Sequence, residues 1–429
     1  MPLLELNIEA AWAAKQTAKG SPATTADKRF RKVGGDMNVN RDDGNENYSD
    51  GERFTNAVSF VNTIIGNGNP TTQGQASTTG YLSYLMLGQE TATTVAAGLI
   101  EHVATPAAGS FWTTWWKKVG GTQVLRQKFN DCRITSLRIE GSSASKVLHV
   151  TPTFFSLDSG EIFTTDPVKV EDTGIPFLFT EAEGAILIDG VVHRGQSSFA
   201  VVVTDALTPW YGDAVTPFDI SSGQGQVTIE GITLALDAQG LQRYYSQIYG
   251  TTAPVLGQKP IRVRPVTGSY TWNATRGVWT SAVFGGTVSG GTYTLTYGAQ
   301  TTSAIAYNAT AAVVQTALEA LSTVEPGDVV VTGGPGPTAI QVNFKTGSTA
   351  LTGSGASLTG TAPTLTMTPQ GAAETVKVEL PSVEWTSDMA IAGNPDGGAG
   401  EITLAGTTRK VGANPHIRIT TRSSDAAYT

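Results

Sequence analysis

Apolar and polar residues alternate with a period of two along most of the chain. AILIDGVVHR, Ala185 to Arg194, is two short apolar runs joined by Asp189-Gly190. Both turn residues tolerate positive φ, so the segment predicts a hairpin. SFAVVVTD, Ser198 to Asp205, is an apolar run of strand length and predicts a strand buried on both faces. IRVRPV sets Ile261 and Val263 against Arg262 and Arg264, and PHIRITTRS sets Ile417 and Ile419 against Arg418 and Thr420. CRITSLRIEG and QVTIEGITLALD alternate with a one-residue slip, and in the second Gly231 marks it as a β-bulge would. Helical patterns are few, and LQRYYSQIY, Leu241 to Tyr249, predicts a short helix.

The pattern changes between about Gly286 and Gln370. This stretch is rich in Thr, Gly and Ala and carries only Glu319, Glu325, Asp328 and Lys345 as charges. It reads as strands (YTLTY, TSAIAYN), a helix (ATAAVVQTALEAL) and three further strands (DVVVTG, AIQVNF, TLTMT). Val314, Leu318 and Leu321 share one helix face, Asn308 or Thr310 can cap its start, and Pro326 follows its end. VKVELPSVEWTS, Val376 to Ser387, then returns to the charge density of the first part. The expected organisation is a mainly β protein. A β-sandwich or barrel domain would cover residues 1–281 and resume at 373–429, with a small α+β module inserted over 282–372. A length of 429 residues exceeds one ordinary core and fits two or three domains.

Composition agrees. Charged residues make up 15% and Gly numbers 49, which suits strands and turns. The net charge of −8 argues against a DNA binder, because such proteins neutralise phosphates with Lys and Arg. The one cysteine, Cys132, excludes a disulfide framework within the chain and a Cys-rich zinc site, and reads as a small buried hydrophobe. MPLLELNIEAAWAAK lacks a basic start and carries Glu5 and Glu9, so a protein made and left, at least at first, in a cytoplasm is expected. No apolar run approaches membrane-spanning length.

Candidate chemistry is sparse. RDDGNENYSDGERF, Arg41 to Phe54, places Asp43, Asn45 and Asn47 like the first ligands of a calcium loop. Tyr48 stands where that loop needs Gly and Phe54 where it needs a bidentate Glu, so a solvated turn-rich loop is the better reading. His102, His149, His193 and His416 show no metal-ligand spacing. No GxSxG is present, and GGPGP, Gly333 to Pro337, lacks the Lys of a phosphate cradle and reads as a turn. No catalytic residue, metal site or cofactor is expected. FWTTWWKK, with Trp112, Trp115 and Trp116, reads as a subunit interface in preference to a base-stacking platform.

AAKQTAKGSPAT (Ala13 to Thr24), FNDCRITSLRIEGSSASKVLHVTPTFFS (Phe129 to Ser156), GQVTIEGITLALDAQ (Gly225 to Gln239) and IRVRPVTGSYT (Ile261 to Thr271) together resemble the major tail-tube proteins of long-tailed bacteriophages. The resemblance spans roughly residues 10–275 and 375–422. Gly290 to Thr368 resembles a module that recurs in phage virion proteins and large bacterial surface proteins. The resemblance implies a β-sandwich subunit with a flanking helix. Six subunits would close a ring with a shared inner barrel, and rings would stack into a tube that conducts DNA into the host. The inserted module would decorate the exterior. Expected partners are other copies of the chain, tail-tip or baseplate, terminator and tape-measure proteins, and DNA in passage without specific binding. The expected location is the virion tail, assembled in the host cytoplasm.

The family's early loop reaches the neighbouring ring. That gives the acidic run Asp42, Asp43, Glu46, Asp50 and Glu52 a partner in the basic stretch Lys28, Arg29, Arg31 and Lys32, with complementary charge setting register. Two solvated faces of a hairpin remain the equal alternative. A baseplate or fibre-associated component is the main rival function. A cell-surface binding protein with an Ig-like sandwich comes next, and a hydrolase last.

Overall fold

The computed structural model describes residues 9–48, 56–96, 99–107, 109–120, 124–158, 160–169, 174–179, 184–193, 196–261, 268–324, 329–344, 350–371, 374–385, 391–392 and 400–428. Asp50, Glu52 and Arg262 to Val266 of the IRVRPV segment lie outside them, as do the side chains of Glu46 and Lys32. The fold is mainly β, with three helices among the described residues: α1 (Ala76–Leu87), α2 (Ala238–Tyr249) and α3 (Ala311–Glu319). None is long and apolar enough to cross a membrane. The chain divides into two compact units. One comprises Met1–Glu90, Ala104–Trp272 and Val378–Ile419, the other Thr91–Val103, Asn273–Lys377 and Thr420–Thr429.

In the larger unit an antiparallel run passes from Lys28–Phe30 through Glu9–Lys15, Trp112–Val119, Leu125–Ser142, Gln196–Thr204 and Gln226–Ala235 to Glu401–Thr408. Leu125–Ser142 is the shared strand. Its first half pairs with Trp112–Val119 and its second half with Gln196–Thr204. Cys132 and Arg133 have partners on both sides, Thr113 and Trp112 on one, Ser156 and Phe155 on the other. The strand therefore changes neighbours between Arg133 and Ser136, and its pairing with Trp112–Val119 carries a register shift between Phe129 and Cys132, where Asp131 takes φ 49°. Bulges of this kind bend a strand and let one element serve two pairings.

The local signals in the sequence are realised. Gly184–Ile188 and Val191–His193 form the hairpin across Asp189 (φ 53°) and Gly190 (φ 76°). The slip in QVTIEGITLALD is a register shift between Ile229 and Ile232, with Gly231 at φ 78°, a conformation costly for any residue with a Cβ. The slip in CRITSLRIEG is a second shift, between Ile134 and Ser136. Ile417 and Ile419 are buried while Arg418 and Thr420 are not. Gln196–Thr204 has strand partners on both edges, but Val202 is only half-buried. α2 is capped by Asp237, whose carboxylate accepts from the Gly240 amide at 2.8 Å.

No pattern announces α1. All twelve of its residues are buried, so no polar face creates a helical period, and Thr78, Thr79 and Gly80 are weak helix formers. Its helicity comes from its surroundings.

The core of the larger unit is aromatic. Trp115 is fully buried between Phe30, with ring centroids 5.6 Å apart, and Phe154, 4.7 Å away. Phe129 meets Phe154 edge-on. In the smaller unit the strand Val278–Tyr297 organises everything. It pairs with Ile340–Phe344 and with Leu358–Gly371, and two of the three register shifts in the second pairing fall beside Gly285 and Gly290. Val314, Leu318 and Leu321 of α3 and its exit pack against Tyr293, Leu295, Val331 and Phe344 in one apolar cluster. Thr310 occupies the helix N-cap position, without a side-chain capping bond. Gly333 to Pro337 is a turn between Val329–Gly333 and Ile340–Phe344.

Trp115→Ala is expected to destabilise the protein by about 3–5 kcal/mol in denaturant unfolding, the range for emptying a large aromatic site. Trp112→Ala, at a half-buried site, should cost about 1 kcal/mol. Equal costs would show that Trp115 is not central to the core.

Candidate assembly surface

The acidic run of the sequence lies on a β-ribbon. Met37–Tyr48 pairs with Asn56–Gly68 from Met37↔Gly68 to Tyr48↔Asn56, with one slip between Asp42 and Asp43. Only the root is supported by a third strand, where Gly66–Gly68 also pairs with Phe154–Ser156. Beyond it, among the described residues, the two strands pair only with each other, and one further backbone bond runs from the Ile64 amide to the Val215 carbonyl at 2.7 Å. From Asn40 to Tyr48 this makes about 30 Å of ribbon, at about 3.4 Å per residue.

The root is built for close approach. A Cβ on Gly68 would lie 2.6 Å from Met37 Cγ and 2.7 Å from Phe154, so only glycine lets the ribbon sit against the aromatic core. Lys117 locks it. Its ammonium is buried, 5% exposed, and donates to Asp36 Oδ1 (2.5 Å), the Met37 carbonyl (2.7 Å) and Asn38 Oδ1 (3.2 Å). All three acceptors lie on the ribbon's entry, so the buried charge is satisfied only when that backbone is in place. Burial pushes the Asp36 carboxyl up, but hydrogen bonds from Lys117, Asn38 and the Met37 amide outweigh it and hold the group below its ordinary value. Neither Lys117 nor Asp36 stood out in the sequence. Lys117, one of two lysines ending FWTTWWKK, carries no sign of burial in the sequence, because its partners lie some eighty residues away.

The ribbon's outer positions are polar. Asn40, Arg41, Asp42, Asp43 and Asn62 are exposed. Asp43 pairs with Arg41 at 2.5 Å and Asp42 accepts from Asn62 at 3.2 Å, both in water, where such contacts contribute little to stability. No group of three or more His, Cys, Asp or Glu able to hold a metal ion occurs among the described residues, and the calcium-like spacing falls on the strand itself.

The basic stretch follows a different course. Lys28 is half-buried and bonded to Ser77 at the start of α1. Arg29 lies over the Trp12 ring at 5.5 Å. Arg31 is half-buried between the strands Lys28–Phe30 and Lys32–Gly34. Lys28 and Arg29 thus have partners inside the chain. Of the three tryptophans, Trp115 and Trp116 are core residues and offer no surface. Trp116 is buried with Ala10, Trp12 and Ala14. Trp112 alone is partly exposed, flanked by Lys19 at 5.9 Å and Arg133 at 5.5 Å. The interface expected of all three therefore reduces to Trp112: Trp115 packs between Phe30 and Phe154, and Trp116, on the opposite face of the strand, packs with Ala10, Trp12 and Ala14.

Cys132 is fully buried and burial raises its thiol well above the ordinary range, so it is no nucleophile. His193 is buried beneath α2, where burial and the nearby Arg243 lower its pKa. His102 stacks on Tyr428 at 4.6 Å, and His416 Nδ1 lies 3.2 Å from the Thr408 hydroxyl.

The Asp36 clamp has a pH signature. A carboxylate held below its ordinary value adds stability that is present above the unfolded value, 3.8, and lost as pH falls through the lower folded value. Asp36→Asn is expected to be less stable than the parent at pH 7. The gap in unfolding midpoint, followed by tryptophan fluorescence, should close below about pH 3.8. A gap unchanged at pH 3 would remove Asp36 from the clamp.

No family model matches the chain, and no curated protein does. Among solved structures the chain is similar to a protein of Mycobacterium phage Patience, with 14% identity over 50% of this chain and 81% of that one. The TM-score of 0.21 is too low to define a shared fold.

Proposed function

We propose that this chain is a structural virion protein that polymerises as stacked hexameric rings into a phage tail tube, with residues 282–372 on the tube exterior. The observation that carries the proposal is the ribbon Met37–Tyr48/Asn56–Gly68. A two-stranded ribbon is marginal in water by itself, and this one runs well beyond its third strand. Beyond its root no third strand pairs with it among the described residues, so its edges offer backbone groups to another chain. A subunit built to be buried in an assembly explains both features. The strand NAVSFVNTII that faces the acidic strand is largely apolar, which suits a surface covered by a neighbour.

The chemistry of the remainder agrees. Hexamer number, tube and exterior module come from the sequence resemblance, and they fit a mainly β chain. The net charge of −8 suits a conduit for DNA, which carries about one negative charge per 1.7 Å of axis. A basic lining would retain DNA at every ring. Acidic residues on the ribbon, Asp42 and Asp43 among them, would meet basic residues of the next ring and set register more than affinity. Ring closure and stacking are heterologous contacts, and stacking without closure yields a filament. The chain acts in this role without catalysis, with other tail proteins as its partners.

Negative-stain electron microscopy of concentrated, aged protein is the test, and hollow tubes or stacked six-fold rings are the expected result. Replacing residues 41–63 by a two-residue turn should leave a folded subunit by circular dichroism that forms no tubes. Asp42→Lys with Asp43→Lys should shorten tubes or block growth. Tubes of normal length from the truncated chain would overturn the ribbon's role, and closed particles that never stack would overturn the tube itself.

A further inference from the structure

We infer that successive copies are joined by a knob and a pocket: the Val255-Leu256 loop of one copy inserts into the apolar cavity between Met86, Pro106, Val203 and Val227 of the next. This rests on the polymerisation proposed above and names one of its contacts.

The knob is unusual for a surface loop. Val255 is 73% exposed and Leu256 is completely exposed, side by side. The loop is nonetheless held in place. The Val255 amide donates to Gln258 Oε1 at 3.0 Å, the Gln258 amide returns to the Val255 carbonyl at 3.0 Å, and Gln258 Nε2 donates to the Tyr249 carbonyl, the last residue of α2, at 3.0 Å. A turn fixed by its own side chain presents two apolar groups to water with little conformational freedom left to lose. Such pre-organisation favours binding. Lys259 follows directly, exposed and without an ion pair among the described residues.

The pocket is complementary. It holds about 260 Å³ and is lined mainly by apolar groups, with the Asp205 carboxylate in its wall. Small-molecule sites run to about 300–1,000 Å³, so this cavity is on the small side for a cofactor and suits one or two aliphatic side chains. Asp205 faces Arg133 at 3.7 Å in the pocket's wall, and its carboxylate would be shared between Arg133 and the incoming Lys259. An apolar pair followed by a cation thus meets an apolar cavity edged by an anion. Because knob and pocket are different surfaces of the same chain, the contact is heterologous and repeats from copy to copy.

Disulfide trapping tests this. Copies carrying Leu256→Cys are mixed with copies carrying Ala107→Cys, an exposed position at the pocket, and oxidised mildly under assembly conditions. The native Cys132 is fully buried and does not compete. The mixture should give a two-chain disulfide product at about ten times the yield of either variant by itself. Ala107→Trp, which plugs the mouth, should raise the concentration needed for assembly about ten-fold, the equivalent of 1.4 kcal/mol. Normal tubes without the cross-link overturn the knob and pocket and leave the tube proposal standing. The cross-link without tubes upholds the contact and overturns the tube. Leu256→Cys copies that cross-link to one another as fast as the mixture would make the contact symmetric and overturn the inference. Neither product nor assembly removes both.

Discussion

A paired ribbon of two strands has little to hold it in water, so whatever anchors its root decides whether it exists as a defined element. Here the anchor is a buried ammonium. Lys117 sits on a core strand and donates to Asp36, Met37 and Asn38, the residues through which the chain enters the ribbon. Leaving such a charge buried without these partners would be strongly unfavourable, so the fold couples formation of the core strand to correct placement of the ribbon. The residues around it serve the same end. Trp115, Phe154 and Met37 fill the space beside the clamp, and Gly68 admits the ribbon backbone to contact with them.

That arrangement links the core to the ribbon. Strand Trp112–Val119 contributes Trp115 to the aromatic stack and Lys117 to the clamp from the same face, two residues apart. Strand alternation thereby ties the aromatic core of the larger unit to the root of the ribbon. A mobile arm would lose entropy on binding any partner, whereas an arm already fixed at its root loses less. The pinned Val255-Leu256 loop follows the same logic, with Gln258 in the role of the clamp.

The smaller unit solves a different problem. It has few charges, and its core is carried by one long strand, Val278–Tyr297, with α3 laid against it. Glycines at two of its register shifts let this strand stay paired with Leu358–Gly371 along its length. Val314, Leu318, Tyr293 and Phe344 share one apolar cluster within it.

What the sequence determined by itself was local. The Asp189-Gly190 hairpin, the Gly231 bulge, the apolar stripe of α3, the amphipathic α2 and the alternation at Ile417 and Ile419 all follow from residue type and spacing within a few positions. The acidic run was legible as a candidate surface, and Asp42 and Asp43 are exposed. Tertiary structure alone decided the rest. α1 has no period because it is buried on every side, so neighbours rather than propensity make it a helix. FWTTWWKK looked like one aromatic surface, yet Trp115 packs into the aromatic stack and Trp116, on the opposite face, packs with Ala10, Trp12 and Ala14, which leaves Trp112 at the edge. Lys117 became the central clamp through partners far off in the chain. Spacing along a chain records which residues share a face, but what that face is packed against is set by distant segments, and that decides whether a charge or a ring is surface or core.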